Sequence, residues 1–210
     1  MRASRFLFVV VALYTAASWA AHVNMKDPKR ALGRRDDIRI DAQLSDDTIA
    51  SSAPIRVVYQ IQNLTPQFIA IADRVCDATY DSESRTIVVT IGAEIPADTT
   101  MPHLVTIAPG EKRVFKAGAN PRVVTPSTRG PFTAIPRFVQ IKVNVLRDTT
   151  AFAPLIAQQS RTQVAPPLSN ELFDKWLDVN DAIDLNAIPV QWTPQARSAV
   201  PMADQRGPGF

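Results

Sequence analysis

Between Ile38 and Leu146, apolar residues return at every second position and polar residues fill the gaps. Ile38, Ile40, Ala42 and Leu44 alternate with Arg39, Asp41 and Gln43; Ile55, Val57, Tyr59 and Ile61 alternate with Arg56, Gln60 and Gln62. A period of two is that of a strand with one buried face. The clearest case is Phe138–Leu146, where Val139, Ile141, Val143 and Val145 oppose Gln140, Lys142 and Asn144. Arg85–Ile91, Leu104–Ile107 and Lys112–Lys116 read as further short strands, and Phe68–Ala72 as one that pairs with 55–62 or with a neighbour across the sandwich. Ser45-Asp-Asp-Thr48, Asn63-Leu-Thr-Pro66, Asp81-Ser-Glu-Ser84 and Ala108-Pro-Gly-Glu111 carry the turn chemistry between them. Strands with one apolar face each must stack as two sheets to hide those faces, so the pattern predicts a mainly β, antiparallel β-sandwich.

Outside that region the pattern changes. Ala151–Ile156 reads as a last short strand and closes a sandwich domain over 37–157; residues 158–168 are expected to be a polar linker. One C-terminal helix is expected over 169–185, capped by Ser169 or Asn170, with Leu172, Phe173, Trp176, Leu177, Val179 and Ile183 as its apolar positions. Residues 186–210, with Pro189, Pro194, Pro201 and Pro208, are expected to be an extended or disordered tail. At the other end, Arg2 and Arg5 precede the apolar run Phe6–Ala17, and Ser18-Trp-Ala20 puts small residues where signal peptidase needs them. Residues 1–20 are therefore expected to be a cleaved signal peptide, with an uncleaved anchor as the alternative that the short uncharged stretch Phe6–Ala21 disfavours, and 21–36 a mobile arm. The destination would be secreted, periplasmic or cell-surface, with no transmembrane span after cleavage.

Composition sharpens this picture at three points. With 46% hydrophobic residues among 210, the chain can bury a real core. Seventeen prolines against 7 glycines favour stiff connections over flexible linkers. The formal charge of +3 includes Arg2 and Arg5; removing these two from 23 basic residues leaves 21 against 20 acidic ones, close to +1. No stretch interleaves clustered cations with aromatics, which argues against a nucleic-acid partner. Cys76 is the only cysteine, so no internal disulfide forms, and it reads as a small buried apolar residue.

Few residues carry candidate chemistry. His22 and His103 would supply a copper site of the histidine-brace kind if the mature chain began at His22; the plainer reading puts His22 in the arm and His103 in a loop. Asp73, Asp77, Asp81 and Glu83 would offer oxygens to calcium if one loop gathered them, but Asp is also the ordinary turn residue. No Gly-x-Ser-x-Gly, His-Glu-x-x-His or phosphate-binding glycine loop is present, and the chain is read as a non-enzyme without a cofactor. Asn63-Leu-Thr65 is a glycosylation sequon only in a eukaryotic secretory pathway. Phe173 and Trp176 are the candidate partner-binding residues, set against the alternative that their helix caps its own domain.

The run Ile55-Arg-Val-Val-Tyr-Gln-Ile-Gln-Asn63-Leu-Thr, followed later by Ile107-Ala-Pro-Gly-Glu111 before Val114-Phe115, resembles bacterial immunoglobulin-like accessory domains. The resemblance spans Ile38 to Leu146 and rests on turn chemistry. It implies an immunoglobulin-like sandwich and a role in binding or assembly with another exported or envelope protein; it carries no catalytic residue across. The alternative on the same fold is a small-ligand or metal carrier.

Overall fold

A computed structural model describes residues 27–50, 53–97, 100–121, 135–162 and 164–193. The proposed signal peptide, His22 and the end of the tail lie outside these residues. In chain order the strands begin with β1 (Arg30–Arg35), β2 (Ile38–Leu44), β3 (Thr48–Ala50), β4 (Ile55–Asn63) and β5 (Ile69–Ile71). β6 (Cys76–Asp81), β7 (Thr86–Ile91), β8 (Val105–Ile107), β9 (Lys112–Ala119) and β10 (Phe138–Leu146) follow. A 3-10 turn (Thr150–Phe152) leads into α1 (Ala153–Thr162) and α2 (Asn170–Val179), and β11 (Asn180–Asp184), β12 (Ile188–Pro189) and β13 (Gln191–Thr193) close the described chain.

The protein is mainly β and forms a sandwich. One sheet has the order β1-β2-β4-β9 and is antiparallel throughout. The other runs β6-β7-β10-β5-β8, with β11 and β12 on the free side of β10. β7 lies parallel to β10 over Phe138–Val143, and β5 meets the same edge further along, at Leu146. Between the sheets, Ile38, Ile40, Val57, Tyr59 and Ile61 pack in one core with Ile87, Val89, Ile141, Val143 and Val145. These are the alternating positions that the pattern assigns inward, and together they are nearly dry. β5 takes its partners, β8 and β10, in the sheet opposite 55–62.

Four expectations are corrected. Arg30–Arg35, placed in the mobile arm, is an edge strand paired with β2. Its inward positions are Ala31 and Gly33, too small to register as a hydrophobic stripe. The expected strand at 151–156 is instead the 3-10 turn and the start of α1. α1 takes the first part of the expected linker, up to Thr162; residues 164–168 remain a non-helical connection bridged at Pro167 to Thr100. Asp148 accepts the backbone N–H of Thr150 at 2.9 Å, and Pro154 sits in the first helical turn, where its missing N–H costs nothing. The expected helix over 169–185 ends at Val179, and the chain continues as β11 with Ile183 in the core. Residues 188–193, expected in the tail, add β12 to β10 and β13 to β3.

The two lateral seams are closed. β6 lies against β9 on one side, and β1 against β11 on the other. At the second seam Leu32 exchanges hydrogen bonds with Asn186, Arg35 pairs with Asp181, and Arg147 pairs with Asp36 and Asp181. A second apolar cluster lies beneath the helices, built from Met101, Leu104, Leu146, Phe152, Leu168 and Trp176.

Candidate functional site

Because strand side chains alternate, filling the core with one set fixes what the other set presents outside. On the four-stranded sheet the register aligns outward positions in rows: Arg34, Arg39, Gln62 and Lys112; then Leu32, Asp41, Gln60 and Val114; then Arg30, Gln43, Val58 and Lys116. Asp41 is the one acid in these rows, and its side chain is only 4% exposed. It accepts Arg30 Nη2 at 3.0 Å, Arg39 Nη2 at 3.3 Å and the Gln60 amide at 3.4 Å. The buried carboxylate thus holds two guanidinium groups in place, and Arg34 is held through Nε to the Asp36 carbonyl at 2.9 Å. Asp37 at 3.9 Å from Arg34 and Asp46 at 3.3 Å from Arg56 stand at the rim. Two open clefts lie on this face: one of ≈ 430 Å³ lined by Leu32, Gly33, Arg34, Arg39 and Asp41, and one of ≈ 440 Å³ lined in part by Arg56, Val58 and Lys116.

The opposite outer face has the other sign. Its register aligns Asp77, Thr90, Lys142 and Asp184 in one row and Asp81, Thr86, Phe138 and Pro189 in another. Lys142 is the cation within these rows and pairs with Glu94 at 2.8 Å. Arg85 and Arg137 lie at one rim, where Arg85 Nε donates to the Ile135 carbonyl. The sandwich therefore carries a basic sheet back to back with an acidic one.

The candidate calcium ligands are not gathered into one site, and His22 of the candidate copper pair lies outside the described residues. β6 is extended, so Asp77 and Asp81 are about 13 Å apart along it. Asp81 is spent on its turn: it accepts the Ser84 hydroxyl at 2.6 Å and the Glu83 amide at 3.0 Å, which hold its carboxyl below the usual range. Asp73 pairs instead with His103, Oδ1 to Nδ1 at 2.7 Å. This meeting follows from the β5–β8 register: Ile71 faces Val105, so two residues beyond each lies the partner. Gln159 of α1 fastens the same loop, accepting the Leu104 N–H and donating to the Pro102 carbonyl. Among the described residues, no group of three or more His, Cys, Asp or Glu could hold a metal ion.

Cys76 faces inward at the β6–β9 seam. Burial, then the charge of Asp77, raise its thiol to about 11 against an opposing contribution from the Gly118 N–H. The raised thiol and the half-buried setting fit the reading of Cys76 as a small apolar residue of the seam. Asn63 is fully buried; its Nδ2 donates to the carbonyls of Gln67 and Ile107, and its Oδ1 accepts from Thr65. The folded chain does not present it as a glycan acceptor.

Trp176 is 1% exposed, meets Phe152 edge-to-face and donates Nε1 to the Glu94 carbonyl at 3.2 Å. As a candidate partner-binding residue it is corrected: α2 spends it on its own domain. The i, i+3 spacing hides this, because a helix docked inward and one docked outward show the same stripe. Phe173 is half-buried beside it. The residues missed in the sequence are the cations of the outer sheet face. Each was visible as a polar alternate; only the strand register shows that they share a surface.

Comparison with protein-family models finds none that matches the chain, and neither a curated protein nor a solved structure gives a significant match. Among the described residues no helix is long and apolar enough to cross a membrane.

Proposed function

We propose that this chain is an exported binding or assembly module of the immunoglobulin-like accessory kind, acting through protein–protein contacts in the periplasm, at the cell surface or outside the cell. The observation that carries the reading is the pair of oppositely charged outer faces on a sandwich whose interior is filled with aliphatic side chains. Its accessible chemistry lies on two broad sheet surfaces whose side chains are set in register by the core beneath. Such surfaces suit contact with another protein, where charge complementarity sets partner choice and orientation.

The test is to express the chain with its own leader, sequence the N-terminus of the exported form, assay its metal content and place a photo-cross-linking residue at Val114 or Val88. A mature start at Ala21 and discrete protein adducts from these faces, absent when the cross-linker replaces Leu177 of α2, are the expected results. Retention in the cytosol would overturn the reading. So would a start at His22 with stoichiometric copper, which would make the chain a metal carrier.

A further inference from the structure

The two outer faces match each other in charge and also in spacing. Across four strands, a row such as Arg34–Arg39–Gln62–Lys112 spans three strand intervals, about 14 Å. The row Asp77–Thr90–Lys142–Asp184 on the other sheet spans the same three intervals, with carboxylates at its two ends. Laid face to face in one of the two orientations, Arg34 meets Asp77, Arg39 meets Thr90, Gln62 meets Lys142 and Lys112 meets Asp184. No like charges oppose. The other orientation sets Arg39 against Lys142, and that repulsion selects the first.

We infer that the partner of each face is a second copy of this chain, the basic four-stranded face of one molecule docking on the acidic seven-stranded face of the next. The inference rests on the assembly reading and names its partner. Several features support a specific contact. Asp41 and the Asp36 carbonyl pre-set the guanidinium groups, so less side-chain freedom is lost on docking. Right-handed sheets stack in near alignment, the geometry already used inside the sandwich. Lys112 and Lys116 stand exposed on the outermost strand, β9, within reach of a partner. The rim acids Asp37 and Asp46 and the cations Arg85 and Arg137 lie at the margins of their faces and leave these rows as the matching surfaces.

The contact is heterologous: the two surfaces that meet are different patches of the molecule. Each copy therefore keeps one unused face, and association continues head to tail into open chains. Polar contacts of this kind weaken as salt screens them.

Sedimentation velocity of the mature protein tests this directly. In low salt the mean mass should rise with concentration, and in high salt it should fall to that of a monomer. Lys112→Glu with Lys116→Glu reverses the charge of the basic face along its outermost strand, and Asp77→Lys with Asp184→Lys reverses both ends of the acidic row. Each variant alone should remain monomeric. Mixed together, the two should associate again, because each supplies the face the other has lost. Should the Asp77→Lys/Asp184→Lys variant fail to fold, Asp184→Lys alone, at an exposed position, replaces it. A parent protein that is monomeric at every concentration in low salt would overturn the inference, as would association indifferent to both reversals or variants that do not combine. An exported chain that cross-links to other proteins and never to itself sinks this inference and leaves the broader reading standing. Retention in the cytosol sinks the broader reading, while the mixing result is unaffected.

Discussion

Gly33 and Leu185 stand so close that a Cβ on residue 33 would lie 2.9 Å from Leu185 Cδ1 and 3.1 Å from the Asp184 carbonyl oxygen, so a side chain there would force Leu185 to shift. The glycine is needed for this close approach, which lets β1 lie against β11 and close one seam of the sandwich. Gly33→Val should lower unfolding stability in urea by about 2–3 kcal/mol through overpacking. Gly33→Ala should cost less in a Leu185→Ala background than in the parent, with a coupling of about 1 kcal/mol. An equal cost in both backgrounds would show that the seam does not depend on this contact.

The same seam explains which parts of the fold were legible. β2, β4, β7 and β10 each place three or more large aliphatics on one face, and a two-residue period shows through. β1 turns Ala31 and Gly33 inward, so its buried face is too small to be read as apolar. α1 hides for a related reason: Gln159, one of its inward residues, is polar, buried and fully used by the Pro102–Leu104 loop. The boundary between α2 and β11 falls between Val179 and Ile183, whose spacing of four satisfies both periods. The outer faces were legible residue by residue, but their charge was not. It emerges only when long-range register sets Arg39 beside Gln62 and Lys112, and sequence spacing carries no trace of that alignment.

Asn63 was readable as a turn residue, and the structure makes it a joint between two turns. Its backbone N–H donates to the Glu111 carbonyl, its carbonyl accepts from Gly110, and its amide reaches Gln67 and Ile107. Removing the amide leaves buried carbonyls without partners. Asn63→Ala should therefore cost about 2–4 kcal/mol, measured by chemical denaturation. Asn63→Asp should cost a comparable amount, since a carboxylate cannot donate to those carbonyls. A loss below about 1 kcal/mol in both variants would mean that the turns hold each other without it.

Cys76 gives a pH dependence of definite sign. Its folded-state thiol is raised, by burial first and Asp77 next, from 9.0 to about 11. The protonated form is the one the fold favours, so this stability is complete below the unfolded value. It is lost as pH rises from there through the folded value. Between about pH 9 and pH 11 the parent should lose about 1–2 kcal/mol more stability than Cys76→Ala. Parallel stability curves for the two proteins across that window would remove the thiol from the account.

Tyr59 separates what a ring contributes from what its hydroxyl contributes. The ring is fully buried and stacks on Phe115, with centroids 5.2 Å apart and planes at 18°. The hydroxyl finds no hydrogen-bond partner among the described residues. Burial above all, then the charges of Asp73 and Cys76, push its ionisation well above the usual tyrosine range. A buried hydroxyl without an acceptor carries its desolvation cost uncompensated, whereas the ring gains packing and dispersion. Tyr59→Phe should thus leave stability unchanged or raise it by up to about 1 kcal/mol, while Tyr59→Ala should lose about 3–5 kcal/mol. Thermal and urea unfolding of the two variants decide between ring and hydroxyl. If Tyr59→Phe instead destabilises by more than about 1 kcal/mol, the hydroxyl is bonded in solution, and the β6–β9 seam beside Asp73 and Cys76 is polar where this structure makes it apolar.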